Sequence, residues 1–190
     1  MERRKKPVRS GIIFLYILIT LAVFAAVSGY FIIETYYPLK YEDIISEYSS
    51  AHGLEPEFVC AIIATESKFN PNSKSGKGAV GLMQIMPDTA EWIGGKLGIE
   101  DVSEQGLKDP ETNIRIGTWY LKFLTDRYDN TSTAAAAYNA GHGNVDKWLK
   151  NTEYSYGGNT LYKIPFEETE KYVKKVKRAY EIYKKLYNLS

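Results

Sequence analysis

Residues 56–66 read Pro-Glu-Phe-Val-Cys-Ala-Ile-Ile-Ala-Thr-Glu. Proline suits the first turn of a helix, where its missing N–H costs no hydrogen bond. Phe58, Val59, Ile62 and Ile63 then recur at helical spacing, so the segment predicts a buried helix. Glu66 follows Val59, Ile62 and Ile63 by seven, four and three positions, which puts its carboxyl on the same apolar face. A carboxylate in that position loses hydration and its pKa rises. A carboxylic acid that keeps its proton near neutral pH can serve as a general acid. The competing reading is an ordinary solvated glutamate near a helix end. Cys60 is the only cysteine, so no intrachain disulfide can form, and within this helix an inert core thiol is expected.

Working outward, helical periods dominate and no convincing strand alternation is present. Ile44, Ile45 and Tyr48 mark a short helix that ends before Gly53. Residues 67–87, rich in Ser, Asn, Lys, Gly and Pro, predict a long ordered loop. A helix opened by Asp88 is expected over 88–97. Asp109-Pro110 is an N-cap and N1 pair for a longer helix to about Tyr128. A short alanine-rich helix at 133–138 is stopped by Asn139-Ala140-Gly141, and 145–149 supplies another turn or two. The last helix, 167–187, carries Tyr172, Val176, Ala179, Tyr183 and Leu186 at helical spacing. The fold class is all-α, with no internal repeat.

At the N-terminal side, residues 11–33 contain no charge and are long enough to cross a bilayer as a helix. Arg3, Arg4, Lys5, Lys6 and Arg9 precede them, which predicts a cytoplasmic segment at 1–10 and export of everything after Ile33. Tyr30, Tyr36 and Tyr37 fall where interfacial aromatic rings are favoured. Ala26-Val27-Ser28 also offers a small-x-small cleavage site, so a removed signal peptide is the rival reading. The apolar run exceeds the usual signal core, which favours an uncleaved transmembrane anchor. A tether at 34–40 follows.

The formal net charge is +1, but the part after Ile33 holds 19 basic against 22 acidic residues. Nucleic-acid binding by bulk electrostatics is therefore not expected. His52 and His142 are the only histidines and are far apart, so no transition-metal site and no cofactor is expected. Gly76-Lys77-Gly78-Ala79-Val80-Gly81 fits GxGxxG, but no strand precedes it and no βαβ unit surrounds it, so dinucleotide binding is rejected. Tyr138 leads into Asn139-Ala140-Gly141, a helix end with spare backbone and amide groups, and is a functional candidate on that ground.

Glu66-Ser67, then Gly81-Leu82-Met83-Gln84, then Ala137-Tyr138-Asn139-Ala140-Gly141 resemble the three signature blocks of the soluble lytic transglycosylase family. Ile164-Pro165-Phe166-Glu167-Glu168-Thr169 with Tyr172-Val173 is similar to that family's C-terminal signature. Order and spacing agree across roughly 41–187. The resemblance implies a lysozyme-like catalytic domain at 41–190 acting on peptidoglycan glycan strands. It implies cleavage of the β-1,4 bond between N-acetylmuramic acid and N-acetylglucosamine, with Glu66 as acid and then base and a 1,6-anhydromuramyl end as product. It places Ser67, Met83, Gln84, Tyr138, Asn139 and Tyr172 around the acid and the sugars. Ser67 and Tyr172 are expected to bond near the Glu66 carboxyl, Gln84 and Asn139 to face substrate, and Met83 and Tyr138 to wall the cleft. A hydrolytic muramidase would use the same Glu66 with a second carboxylate, for which Asp88, Glu91 and Asp109 are available. A non-catalytic peptidoglycan-binding component of a cell-envelope machine is the reading from another class, and it would not need the acid. Other protein partners are not legible.

Overall fold

The computed structural model describes residues 8–158, 160–187 and 189. Most of the basic segment expected at 1–10 therefore lies outside the described residues. The chain divides into two units, one ending at Pro38 and one beginning at Leu39. In the first, α1 (Val8–Tyr36) contains an apolar stretch of 26 residues, Gly11–Tyr36, with mean hydropathy 2.5 and its large side chains exposed. At 1.5 Å per residue it is about 39 Å long, more than the ~30 Å of a bilayer's hydrocarbon core. The helix continues through Tyr36, into the stretch expected to be tether, because nothing before Pro38 interrupts it.

The second unit is built from helices, as the periodicity predicts: α2 (Glu42–His52), α3 (Pro56–Glu66), α4 (Pro87–Leu97), α5 (Pro110–Arg127), α6 (Thr131–Ala140), α7 (His142–Leu149) and α8 (Glu167–Leu186). Punctuation residues set several boundaries. Gly53 ends α2 at φ 62°, with its N–H bonded back to Ser49 and Ser50 carbonyls. Asp109 caps α5 by accepting from the Thr112 N–H at 2.8 Å. Asn130 caps α6 by accepting from Ser132 and Thr133 N–H groups. α4 begins at Pro87 rather than Asp88, because proline takes the first helical position.

α3 is the central helix. Val59, Cys60, Ala61, Ile62 and Ile63 are fully buried, and α8 packs along it with Tyr172, Val173, Val176, Ala179 and Tyr183. Phe58 meets Tyr180 edge-on at 5.6 Å. Burying a side chain of this size contributes about 1.5–3 kcal/mol, so the α3 and α8 face is the main hydrophobic anchor of the unit. Burial pushes the Cys60 thiol up to about 12, consistent with an inert core residue. α6 also packs on α8, and α5 packs on α2, α4 and α6. A small antiparallel ribbon, β1 (Ser155–Tyr156) with β2 (Thr160–Leu161), interrupts the helices between α7 and α8. Two-residue strands are too short to show alternation in sequence.

Candidate active site

Glu66 is the last residue of α3 and is half-buried. The helix ends because Ser67 leaves helical geometry and both Lys68 and Phe69 enter the left-handed region, at φ 53° and 60°. That backbone is costly for residues with a Cβ. Phe69 holds it in place, being 2% exposed and packed 6.4 Å from the Tyr183 ring. The carboxyl is thus presented from the tip of a buried helix by a strained turn.

From α8, the Tyr172 hydroxyl donates to Glu66 Oε1 at 2.8 Å. Burial raises the Glu66 pKa to about 7, while the Tyr172 bond pulls in the opposite direction. The negative end of the α3 dipole also disfavours the ionised carboxylate. Burial, followed by the charge of Glu66, holds the Tyr138 and Tyr172 hydroxyls well above the usual phenol range, so both are neutral donors. Tyr138 donates to the Met83 carbonyl at 2.8 Å. These bonds bring α3, the loop before α4, α6 and α8 to one place.

The loop is held by its own polar groups. The Gly81 N–H and the Gln84 amide both donate to the Ser73 carbonyl, at 2.9 and 3.1 Å, and Gln84 donates again to Gly81 at 3.0 Å. Asn113 of α5 pins the loop from behind. Its Oδ1 accepts from the Met83 N–H at 2.8 Å, and its Nδ2 donates to the Val80 and Leu107 carbonyls at 3.0 and 2.8 Å. Gly81 sits at φ 83° against this amide, and a Cβ there would overlap Asn113 and the Leu107 carbonyl. One turn along α5, Gly117 leaves room for the Met83 side chain.

Of the residues singled out in sequence, Glu66 and Tyr172 are in direct contact, and Gln84, Tyr138 and Asn139 line one cavity of about 230 Å³ together with Tyr120. Asn139 also borders a second cavity of about 500 Å³ with Lys77, Phe166, Glu168 and Thr169. Its Oδ1 accepts from the Thr169 hydroxyl at 2.8 Å, tying the end of α6 to the start of α8. Ser67 is buried and donates to the Ile63 carbonyl at 3.3 Å rather than to Glu66. Met83 is fully buried and reaches the site through its carbonyl, its side chain being packed on Gly117. The Gln84 amide hydrogens are spent on the loop. Asn113, Tyr120 and Lys77 were not singled out. Asn113, Gly117 and Tyr120 recur at helical spacing on α5, and a polar residue with a glycine on an inward face was the available signal. A separate cavity of about 250 Å³ over Phe58, Asn130, Val176 and Tyr180 contains none of these groups.

The profile of the Transglycosylase SLT domain family matches residues 43–159. The soluble lytic murein transglycosylase of Escherichia coli (strain K12) is 42% identical over 154 residues, 80% of this chain and 24% of that protein. The membrane-bound lytic murein transglycosylase C of Actinobacillus pleuropneumoniae is 31% identical over 166 residues, 76% of this chain and 46% of that protein. Among solved structures, an inactive glutamate-to-glutamine mutant of the lytic transglycosylase Slt of Pseudomonas aeruginosa superposes with a TM-score of 0.73 at 35% identity, covering 83% of this chain and 26% of the other. The chain thus spans about a quarter of the length of the soluble relative it matches. The profile covers α2 to α7 and the first three signature blocks, the superposition covers 83% of the chain, and the chain belongs to the transglycosylase SLT domain family.

Proposed function

We propose that this protein is a membrane-anchored lytic transglycosylase that cuts the β-1,4 bond between N-acetylmuramic acid and N-acetylglucosamine in peptidoglycan. The observation that carries the reading is the half-buried Glu66 carboxyl at the tip of α3, held at Oε1 by the Tyr172 phenol, with burial raising its pKa to about 7. With Oε1 accepting from Tyr172, Oε2 is the oxygen that carries the proton. Glu66 gives this proton to the glycosidic oxygen as the bond to muramyl C1 breaks. The resulting carboxylate then takes the proton of the muramyl C6 hydroxyl while O6 bonds to C1. Glu66 ends as it began, and no water enters. Tyr172 stays a neutral donor through both steps, favouring the carboxylate when it forms.

One carboxyl suffices for this scheme, whereas a glycosidase of the common retaining type needs a second about 5–5.5 Å away. Burial raises the Glu66 pKa and the Tyr172 hydrogen bond lowers it. Asp109, one acid available to a hydrolase, is occupied as the α5 cap. The match to relatives named lytic transglycosylases supports the anhydro product over hydrolysis. Seven residues carry the site: Glu66 does the chemistry, Tyr172 sets its proton, Tyr138 and Asn139 border the sugars, and Ser67, Met83 and Gln84 hold the frame. α1, with residues 11–33 in the bilayer and the basic cluster inside, keeps the domain at 41–190 on the outer face of the cytoplasmic membrane.

The test is digestion of purified peptidoglycan with the full chain and with Glu66→Gln, the muramyl ends being read by mass spectrometry. Anhydro-muramyl ends are expected, one water lighter than reducing ends. The variant should lose at least a hundredfold in rate, the lower range for a positioned acid and base. Reducing ends would make the protein a hydrolase, and undiminished cleavage by Glu66→Gln would remove Glu66 from the mechanism.

A further inference from the structure

α8 has two unlike sides. Tyr172, Val176, Ala179 and Tyr183 face inward, where the helix packs on α3 and α6. Lys171, Lys174, Arg178 and Lys185, spaced by three, four and seven positions, form one ridge along the exposed side. From first to last the ridge is about 21 Å long at 1.5 Å per residue. Lys175 and Lys177 flank it and are exposed as well. Between 171 and 186 the helix carries seven basic residues and one acid, Glu181, whereas the rest of the chain after Ile33 holds 12 basic and 21 acidic residues. Positive charge is thus collected on one helix of an otherwise acidic unit.

Internal pairing does not consume this charge. Lys171 and Lys174 are paired one turn back with Glu167 and Glu170, and Lys184 with Glu55. Lys175, Lys177, Arg178 and Lys185 have no carboxylate partner among the described residues. The helix dipole accounts for cations in the last turn only, and Lys184 and Lys185 supply those. Three unpaired cations in the middle of the helix are left without a structural role.

The C-terminal end of the ridge lies where the chain arrives from α1. Leu39, the first residue of the helical unit, borders a cavity of about 220 Å³ with Tyr187 and Leu189, just past the end of α8. α1 ends at Tyr36 and α2 begins at Glu42. The five residues between them reach at most about 18 Å. A basic surface on so short a chain is kept beside the headgroups of the bilayer that α1 spans. Anionic lipid attracts each Lys or Arg there, and the attraction dies away within about 8 Å at physiological salt. A polyanion free in solution would gain nothing from this placement.

We propose that the outer ridge of α8 rests on anionic phospholipid headgroups of the membrane that holds α1. This rests on the anchored reading of α1 given above and adds a lipid-binding surface to it. Tyr172 reaches Glu66 from the inward side of the same helix. Docking therefore leaves the cutting carboxyl one helix away from the lipid and restricts cleavage to glycan lying next to the membrane.

The experiment uses the full chain reconstituted into liposomes of phosphatidylcholine alone or of an equimolar mixture with phosphatidylglycerol. A membrane-impermeant acetylating reagent is added and each lysine is followed by mass spectrometry. Phosphatidylglycerol is expected to slow acetylation of Lys175, Lys177 and Lys185 roughly fivefold, the equivalent of one charge's attraction to the surface. The protection should vanish in ~1 M salt, where the screening length falls to ~3 Å. Lys96 of α4 and Lys147 of α7, both exposed, should react alike in the two lipids. Combining Lys174→Gln, Arg178→Gln and Lys185→Gln should free Lys175 and Lys177 while turnover of soluble glycan strands stays at the wild-type rate. Equal acetylation in both lipids, or protection that persists in ~1 M salt, overturns the proposal. Protection by soluble polyphosphate but not by phosphatidylglycerol would assign the ridge to a free polyanion and overturn it too. A chain stripped from the liposomes by carbonate, yet protected by phosphatidylglycerol vesicles added from outside, fells the anchor and leaves the ridge standing. A carbonate-resistant chain with unprotected lysines does the reverse.

Discussion

At the scale of the residue, Glu66 ties activity and stability to pH in the same sense. Its folded pKa of about 7 lies above the unfolded value near 4.5. The acid form needed to protonate the leaving oxygen is therefore present below about pH 7 and is lost as pH rises through it, so kcat/KM should fall tenfold per unit on the alkaline side. The stability linked to this group has the same sign. It is complete below the unfolded pKa and disappears as pH rises through the folded one. Replacing Glu66 by Gln removes the group's titration, so the variant should match the wild type near pH 4 and exceed it at pH 8 by up to about 3 kcal/mol in denaturant melts. Tyr172→Phe deletes the donor that lowers the Glu66 pKa. Its alkaline limb should move upward and kcat should fall several-fold, which a pH–rate profile would register together. An unmoved limb would mean that the phenol does not set this proton.

At the scale of the element, the loop between α3 and α4 depends on one amide from α5. Asn113→Ala strands the Met83 N–H and the Leu107 carbonyl and removes one of two donors from the Val80 carbonyl, which keeps the Ile85 N–H. At about 1–3 kcal/mol for each buried unmet group, a loss of several kcal/mol is expected in thermal melts. Gly81→Ala should cost a similar amount by overlap and by its positive φ. The helices around this loop were legible because Ile62, Ile63, Tyr172 and Val176 repeat at helical spacing and because Gly53, Asp109 and Pro110 punctuate the chain. The position of Glu66 was legible for the same reason. What the loop does internally was not. Gln84 folding back on Ser73, and Met83 contributing a carbonyl rather than a side chain, depend on contacts 11 and 55 positions apart in the chain. Periodicity is blind to such pairings, and motif matching marks a position without saying which of its atoms is used.

For the whole molecule, the decisive property is the pairing of an apolar 26-residue helical stretch with a helical domain of the transglycosylase family. An anchored chain should remain in the membrane pellet after an alkaline carbonate wash. Protease added outside spheroplasts should degrade the domain and leave a fragment containing α1. Recovery of a soluble, shortened chain would instead show removal of the helix at Ala26-Val27-Ser28. The solitary thiol has a practical consequence of another kind. Cys60 is fully enclosed in α3, and burial raises its pKa so that it stays a thiol near neutral pH. The natural protein thus serves as its own cysteine-free background. A fluorophore or spin label attached through a cysteine introduced at Tyr156, 75% exposed on the small ribbon, would report from that point alone.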